Sequence, residues 1–397
     1  MTPFGYTVLG FGAFAAAGGV PMIQSIPAGD EAVFNSGNSN HIEIAFDPND
    51  SDKFVVVYRD SSNSSYGTAI VGTVSGTTIT YGSEYVFNSG NTQYIGVSFD
   101  PNTAGKFVVA YQDIGNSNYG TACVGTVSGT TITFGSEYVF NSGNTQHLSV
   151  SFDPNTAGKF VVAYKDWGNS GYGAAIVGTI SGTAISYGSS VVFHSTAVYD
   201  LSVSCDPNTA NKFVVVYKDG SNSYYGKSVV GDISGTSITF GSVVVFNSGN
   251  TNELSANFDP NTALKFAVTY RDHSAGGDGM AIAATVSGTT PTFGSEHVWN
   301  TSEARYTKSA FDPNNTGKLV VICRDEGFSY KGTATVLTLS GTSFTSGTTV
   351  LFNDSEVHEG AVAFDPNSSG KFVVAYTDAG NSDYGTSVAG QIATTGE

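Results

Sequence analysis

The sequence is poor in charge, in cysteine and above all in basic residues. Charged residues make up 12% of the 397 residues, roughly half of the ~25% usual in globular proteins. Three cysteines cannot all pair within one chain, which excludes a disulfide framework. Lysine and arginine number 16 against 33 acidic residues, for a formal net charge of −17. Phosphate backbones repel such a chain, so we expect no nucleic-acid binding, and no attraction to anionic membranes without a bridging cation.

A 53-residue repeat fills most of the chain. Phe-Asp-Pro-Asn recurs with little change, and its aspartate falls at Asp47, Asp100, Asp153, Asp206, Asp259, Asp312 and Asp365. A second aspartate, which ends the run Lys-Phe-Val-Val-Val-Tyr-Arg-Asp of the first copy, recurs at the same interval at Asp60, Asp113, Asp166, Asp219, Asp272, Asp325 and Asp378. Seven copies without insertion or deletion predict one cyclic array instead of the two or three domains that the length suggests.

Each copy has the alternation of apolar and polar residues typical of β-strands. Ile42, Ile44 and Phe46 share one face of a first strand, and further strands are expected near 54–58, 67–74 and 77–87, separated by turn-forming residues. The pattern predicts an all-β fold: a seven-bladed β-propeller of four-stranded antiparallel blades over residues 24–397. A parallel β-helix has shorter coils, and tandem immunoglobulin-like domains need about 100 residues each.

The N-terminal strand is predicted to close the ring. The last copy stops at Glu397, before its fourth strand, whereas residues 29–34 align with residues 82–87, the fourth strand of the first copy. We therefore expect the N-terminal strand to complete the seventh blade, which removes an edge strand that would invite aggregation. One position of the first strand carries small residues, as an innermost strand needs where the strands crowd around a central channel: Ala45, Ser98, Ser151, Ser204, Asn257, Ala310 and Ala363.

Residues that recur in every copy are predicted to serve the fold. Asp47, Pro48 and Asn49 suit a tight turn, and we expect Lys53 to pair with Asp47 across the same hairpin. Asp60 is expected to cap the loop that follows it. Calcium binding is the alternative for Asp60, because hard oxygen ligands suit that ion.

Most basic residues also occupy repeat positions, so we expect them to be paired within the scaffold. Besides the seven recurring lysines, five copies have a basic residue just before the second aspartate: Arg59, Lys165, Lys218, Arg271 and Arg324. Cys123, Cys205 and Cys323 replace apolar residues of the first copy, and we expect them to be buried and inert.

Variation between copies concentrates at the start of the innermost strand. In an up-and-down blade this region lies on the face opposite the uniform Asp-Pro-Asn turns. Seven side chains are expected to ring one mouth of the channel, and we predict that they bind a ligand: His41, Tyr94, His147, Asp200, Glu253, Tyr306 and Glu359. The alternative is that these positions are exposed and vary freely.

A lone tryptophan stands in a loop of the third copy. Trp167 occupies the position of Ser61 and Ile114 in the first two copies, so we expect an exposed ring. Aromatic rings beside Asn and Asp suit sugar binding, because sugar CH groups stack on the ring and hydroxyls take hydrogen bonds. The alternative for the neighbouring loop tyrosines is packing between blades.

Signals for catalysis are weak. A glycosidase needs two carboxylates at a set separation, one of them with a raised pKa, and no feature marks such a pair among Asp200, Glu253 and Glu359. The chain has no cluster of arginines like that of a sialidase, and no His-x-x-x-His spacing indicates a metal. We therefore predict a protein that is not an enzyme and has no cofactor, with calcium left open.

The chain carries no charge from Met1 to Gly29. Within residues 1–23, apolar side chains stand among Gly and Ala: Phe4, Tyr6, Leu9, Phe11 and Phe14. A signal peptide needs a basic n-region, and five Gly and two Pro disfavour a transmembrane helix, so no membrane span is expected. Burial of these side chains is worth on the order of 10 kcal/mol, so we expect the segment to dock into a partner protein or another copy, giving an oligomer.

Two stretches of the repeat have a familiar form: FDPNTAGKFVVAY at 99–111 and VGTVSGTTIT at 124–133. They resemble repeats in virion appendage proteins of marine bacteriophages, over about residues 24–397. The resemblance implies a structural, adhesive protein of the virion surface such as a tail fibre, outside the cell. Its N-terminus would dock to other virion proteins and its propeller would face host-surface glycan. The alternative is a secreted, lectin-like carbohydrate-binding propeller, with a glycan-cleaving enzyme as a weaker one.

Overall fold

The computed structural model describes residues 31–392 as an almost purely β structure. These residues form 27 strands and no α-helix, which confirms the all-β prediction. The strands are β1 (Ala32–Phe46), β2 (Lys53–Asp60), β3 (Tyr66–Ser75), β4 (Thr78–Phe99), β5 (Lys106–Asp113), β6 (Tyr119–Ser128), β7 (Thr131–Phe134), β8 (Tyr138–Phe152), β9 (Lys159–Asp166), β10 (Tyr172–Ser181), β11 (Ala184–Tyr187), β12 (Val191–Cys205), β13 (Lys212–Asp219), β14 (Tyr225–Ser234), β15 (Ser237–Phe240), β16 (Val244–Asn247), β17 (Thr251–Phe258), β18 (Lys265–Asp272), β19 (Asp278–Ser287), β20 (Thr290–Phe293), β21 (His297–Asn300), β22 (Ala304–Phe311), β23 (Lys318–Asp325), β24 (Lys331–Ser340), β25 (Ser343–Phe364), β26 (Lys371–Asp378) and β27 (Tyr384–Gln391). Short 3-10 turns follow four of the second strands, at Trp167–Asn169, His273–Ala275, Glu326–Phe328 and Ala379–Asn381.

Antiparallel pairing groups the strands of residues 31–392 into seven four-stranded sheets, here called blades 1 to 7 in chain order. In blade 1, β2 lies between β1 and β3, and β3 pairs with the first part of β4. Strand β4 then crosses to the next blade, because it pairs with β3 as far as Asn91 and with β5 from Thr92. The outer strand of one blade thus continues into the innermost strand of the next.

The second strand of each blade is buried on both faces because a neighbouring blade packs on either side. Val55 and Val56 point to opposite faces of β2, and neither has any exposed surface. Val56 packs in one apolar cluster with Val373 of blade 7, and Val55 in another with Val109 of blade 2. This arrangement explains a continuous apolar run where a half-exposed strand would alternate.

A glycine on the third strand makes room for an aromatic ring. A Cβ atom at Gly72 would lie 2.2 Å from Cζ of Phe54, and one at Gly67 would lie 2.3 Å from Cε2 of Phe87. Neither glycine is among those with a positive φ. Close packing, and not backbone conformation, therefore explains why glycine recurs at these positions.

The Asp-Pro-Asn turn ties each blade to the next. Oδ1 of Asp47 accepts the backbone N–H of Asn49 within the turn (2.9 Å), and Oδ2 accepts the N–H of Gly105 in blade 2 (2.9 Å). The side-chain amide of Asn49 donates to the carbonyl of Pro101, also in blade 2 (3.2 Å). The turn thus has the structural role predicted for it, and the link between blades is a feature that the repeat alone did not reveal.

The ring closes through the first described strand. Ala32 and Val33 of β1 pair with Ser387 and Thr386 of β27, so the N-terminal strand supplies the outer strand of blade 7 as predicted. The same strand continues into blade 1, where it pairs with β2 from Ser39 onward. The proposed docking segment at 1–23 lies outside the described residues.

The predicted pairing of Lys53 with Asp47 was wrong. Lys53 contacts Asp50 within its own turn and makes no ion pair with Asp47. The carboxylate of Asp47 instead accepts hydrogen bonds from backbone N–H groups, which hold it in one orientation.

Cys123, Cys205 and Cys323 are free and buried, as expected.

Replacing Asn208 by alanine is expected to lower the free energy of unfolding by about 1 kcal/mol. Its side-chain amide joins blade 4 to blade 5, donating to the carbonyls of Asp259 (3.2 Å) and Pro260 (3.1 Å). Asn261→Ala is the matched control, because this asparagine holds the same repeat position and bonds only through its backbone among the described residues. Denaturant midpoints of both variants test the expectation, and equal midpoints would contradict it.

Candidate functional site

The loops that vary between copies meet at one end of the ring, here called the loop face. In blade 1 the connection from β2 to β3 lies beside the bend before the innermost strand, since the N–H of Ser61 donates to the carbonyl of Asn38 (2.9 Å). The most exposed aromatic side chains of residues 31–392 all lie in such connections, at Trp167, Tyr224, Phe328 and Tyr330. Exposed rings and polar loops therefore share this face.

The seven predicted rim residues line a single cavity at the loop face. The cavity has a volume of about 220 Å³ and a lower wall of aliphatic side chains that includes Ile95, Leu148 and Leu201. Every copy contributes its rim residue: His41, Tyr94, His147, Asp200, Glu253, Tyr306 and Glu359. All are half-buried. Their gathering in one place follows from the repeat, and their role in binding stays a prediction.

The backbone of every rim residue is strained. All seven have a positive φ between 34° and 56°, although none is glycine. In each blade the pairing of the first and second strands shifts register at this point, which marks a β-bulge. Such conformations cost about 1–3 kcal/mol each and cluster at ligand-binding sites. The bulge re-aims each side chain at the cavity.

The rim combines acids, imidazoles and phenol rings. The carboxylate of Glu359 accepts the backbone N–H of His41, and Nδ1 of His147 lies 3.5 Å from Oδ1 of Asp200. Nε of Arg271 lies 3.7 Å from Oε1 of Glu253. Each rim carboxylate therefore already has a partner within the protein.

Burial sets the protonation of the rim. It lowers the pKa of His41 and of His147, and this effect outweighs the attraction of Glu359 and Asp200 for the protonated imidazoles. Burial also raises the pKa of Glu253, although Arg271 opposes the shift. Both histidines are thus held neutral near pH 7.

An ion pair crosses the channel below the rim. Nζ of Lys308 in blade 6 lies 2.5 Å from Oε1 of Glu43 in blade 1. Both residues line the rim cavity and also a second cavity of about 180 Å³ deeper in the channel, whose walls include Ser149 and Ser202. The ion pair therefore separates the two cavities.

A cluster of lysines and aromatic rings lies beside the rim in blades 3 and 4. Nζ of Lys165 lies 4.4 Å from the ring centroid of Trp167 and 3.5 Å from that of Tyr199. Nζ of Lys218 lies 4.7 Å from the centroid of Tyr224. The Tyr199 and Tyr224 rings are 6.4 Å apart and the Tyr199 and His147 rings 5.8 Å apart, so the cluster is continuous with the rim. We call Lys165, Trp167, Tyr199, Lys218 and Tyr224 the Lys165 cluster.

The sequence indicated Trp167 in this cluster and missed the rest. Trp167 is half exposed (50%), as expected. The expectation that basic residues at this repeat position are paired holds for Arg271 and Arg324. It is wrong for Arg59, Lys165 and Lys218, which form no ion pair with another described residue. The only available signal was that Trp167 and Tyr199 depart from their repeat consensus in adjacent copies.

The second recurring aspartate caps its loop. Oδ1 of Asp60 accepts the N–H groups of Ser62 (3.0 Å) and Asn63 (3.1 Å). In other blades Oδ1 of the equivalent aspartate accepts one N–H of its loop: Asp113, Asp219, Asp272 and Asp325. Residues 31–392 contain no group of three His, Cys, Asp or Glu side chains suited to a metal ion. Binding of calcium stays a prediction. In the same residues, no helix has the length and apolar character needed to cross a membrane.

Three solved structures share this architecture. A lectin, BP39L from Burkholderia pseudomallei, has a TM-score of 0.65 at 8% identity and covers 92% of this chain and 98% of its own. Sqt1 from Chaetomium thermophilum has a TM-score of 0.53 at 14% identity, with 90% and 85% covered. Sqt1 from Saccharomyces cerevisiae has a TM-score of 0.52 at 11% identity, with 92% and 98% covered.

These similarities are to propeller-like proteins and concern the fold alone, because all three identities are low. No family model matches the chain, and no curated protein shows significant similarity to it. The rim and the Lys165 cluster must therefore be interpreted from their own chemistry.

The rim histidines are expected to make stability fall on acidification. Their folded pKa lies below the unfolded value near 6.5, so the unfolded chain takes up protons first as the pH drops through 6.5. Each pKa unit of lowering is worth about 1.4 kcal/mol once the group is protonated. The double variant His41→Gln, His147→Gln should therefore flatten the fall in unfolding free energy between about pH 7 and 5.

The control for this experiment is His273→Gln, because His273 is exposed in a loop. It should keep the wild-type dependence on pH. An unchanged slope in the double rim variant would show that other groups govern the acid response.

Proposed function

We propose that the protein is a carbohydrate-binding propeller whose ligand binds on the loop face. The observation that carries the proposal is the Lys165 cluster, where the half-exposed Trp167 ring stands beside Tyr199 and Tyr224 at the edge of the rim cavity. Sugar rings stack on such aromatic faces through their CH groups. Side chains of the rim would take the hydroxyls of the same ligand.

The polar ends of these rings are available to a ligand. The indole N–H of Trp167 and the hydroxyls of Tyr199 and Tyr224 make no hydrogen bond with another residue of 31–392, and both Trp167 and Tyr224 are exposed. The likeness of the fold to a lectin agrees with this proposal. Exposed aromatic side chains placed together on one face are also a general mark of a binding surface.

The proposed activity is binding without turnover. Glu359 and Asp200 are engaged by His41 and His147, and Glu253 lies against Arg271. Carboxylates held in this way serve the rim structure, whereas a glycosidase needs one free acid and one free base or nucleophile. We propose no cofactor.

A more specific form of this proposal places the carbohydrate-binding propeller at the surface of a virion. It rests on the resemblance of the repeats to those of bacteriophage appendage proteins, and none of the comparisons links the chain to virion proteins. The docking of residues 1–23 to other virion proteins, oligomer formation and an extracellular location stay predictions. Mass spectrometry of purified particles for peptides of residues 1–30 would test them.

The variant Trp167→Ala is expected to bind glycan about two- to tenfold more weakly, because stacking on one aromatic ring is worth roughly 0.5–1.5 kcal/mol. The array should contain neutral and acidic oligosaccharides, with binding to the leading ligands measured by calorimetry. The fold should persist, because half of the Trp167 surface is already exposed.

Phe328→Ala is the matched control. Its ring is equally exposed (52%) in the corresponding loop of blade 6, three blades away. We expect this variant to bind as the wild type does. Failure of the wild type to bind any glycan would refute the proposed function, and a loss in Phe328→Ala alone would move the site to blade 6.

A further inference from the structure

Lys165 is a buried side chain whose ammonium group has no acceptor among residues 31–392. The side chain is 1% exposed and Nζ lies between the rings of Trp167 and Tyr199. It makes no ion pair and no hydrogen bond with another residue of 31–392. Burial lowers its pKa to about 8, opposed by the charge of Asp200 nearby. Cation–π contacts with the two rings offset part of the desolvation of the ammonium group.

In other blades the residue at the same repeat position has a side-chain acceptor within the protein. Arg271 donates to Glu303 (2.6 Å), and Arg324 lies 3.4 Å from Glu356. In blade 2 the residue is Gln112, whose amide donates to Asn144 (2.9 Å). The scaffold therefore does not require a lysine here, and a lysine that is present usually needs an acceptor from elsewhere.

A second cation stands next to Lys165. Lys218 occupies the same repeat position in blade 4, with Asn252 as a neutral hydrogen-bond partner and no ion pair within the described residues. Asp200 is the acid between the two lysines, and it lies against His147. Two ammonium groups thus lie near the same carboxylate, that of Asp200, within a protein whose net charge is −17.

We propose that the Lys165 cluster binds the acidic group of a glycan, a sulfate or a carboxylate, with Lys165 as its direct partner and Lys218 as the second cation. This inference rests on the proposed function and names its ligand class. The aromatic rings hold the sugar, and the acidic group supplies the acceptor that Lys165 lacks.

The chemistry of the cluster favours an anion over a neutral hydroxyl. A hydrogen bond between an ammonium and an anionic oxygen is roughly twice as strong as one between neutral groups. It gains further strength in a partly dry pocket, where the effective dielectric constant is low. A neutral sugar hydroxyl would leave the ammonium of Lys165 without an anionic partner.

The test compares matched ligands that differ only in charge. One pair is a sulfated galactan oligosaccharide and its desulfated form, and the other is an oligogalacturonate and its methyl ester. Calorimetry gives the affinities, and quenching of Trp167 reports the location, since the other tryptophan, Trp299, is buried (7% exposed). We expect at least one acidic ligand to bind about tenfold more tightly than its neutral form.

The variant Lys165→Gln should abolish most of that preference, and Lys218→Gln should reduce it by a smaller amount. Glutamine is a suitable replacement, because Gln112 holds this position in blade 2. Lys159→Gln is the matched control, since it removes one charge from the same blade at the opposite face, where Lys159 bonds Asn211. Thermal melting of all variants verifies the fold.

The outcomes separate the two proposals. Equal binding of acidic and neutral forms overturns the inference and leaves the proposed function standing. A preference for acidic ligands that survives in both Lys165→Gln and Lys218→Gln also overturns it, because the cations would then act elsewhere. Absence of binding to every ligand overturns the inference and the proposed function together.

Discussion

Each blade depends on both of its neighbours, because its second strand is apolar on both faces. Val55 and Val56 are equally buried, one against blade 2 and the other against blade 7. A blade at the end of an open array would expose one of these faces, at a cost of roughly 1.5–3 kcal/mol for each large side chain. The pairing of Ala32 with β27 removes that cost, because it makes the first and last blades neighbours. The hydrogen bond from Asn367 to the carbonyl of Pro48 (3.4 Å) spans the same junction.

Because the recurring residues hold the scaffold, the rim is free to differ between copies. The β-bulge at the start of each innermost strand is present whether its residue is His41, Tyr306 or Glu359. All three have φ values in the left-handed region, so the strain is a property of the bulge and not of one side chain. Chemical variation at the rim therefore leaves the fold unchanged, which suits a surface that recognises a ligand.

Sequence reasoning succeeded where the structure repeats and failed where it does not. The 53-residue period predicted the strands, the closing strand and the gathering of the rim residues, because equal repeats must place equivalent residues alike. It did not predict the partner of Lys165 or the pair Glu43–Lys308, because these depend on residues contributed once by other blades. A basic residue at this repeat position is paired in Arg271, where Glu303 lies near, and unpaired within residues 31–392 in Lys165, where Tyr199 lies near.

Charge divides the loop face into two unlike sectors. In blades 5 and 6, Arg305 donates to Glu326 (2.6 Å) and forms an ion pair with Glu303 (2.6 Å), so cations and carboxylates contact each other directly. In blades 3 and 4, Lys165 and Lys218 face aromatic rings instead of glutamates. On a scaffold of seven identical blades, a ligand could bind in seven equivalent orientations. Because the two sectors differ, only one of these orientations is favourable. A ligand held by the rim that extends over the loop face toward blades 3 and 4 would meet Lys165 and Lys218.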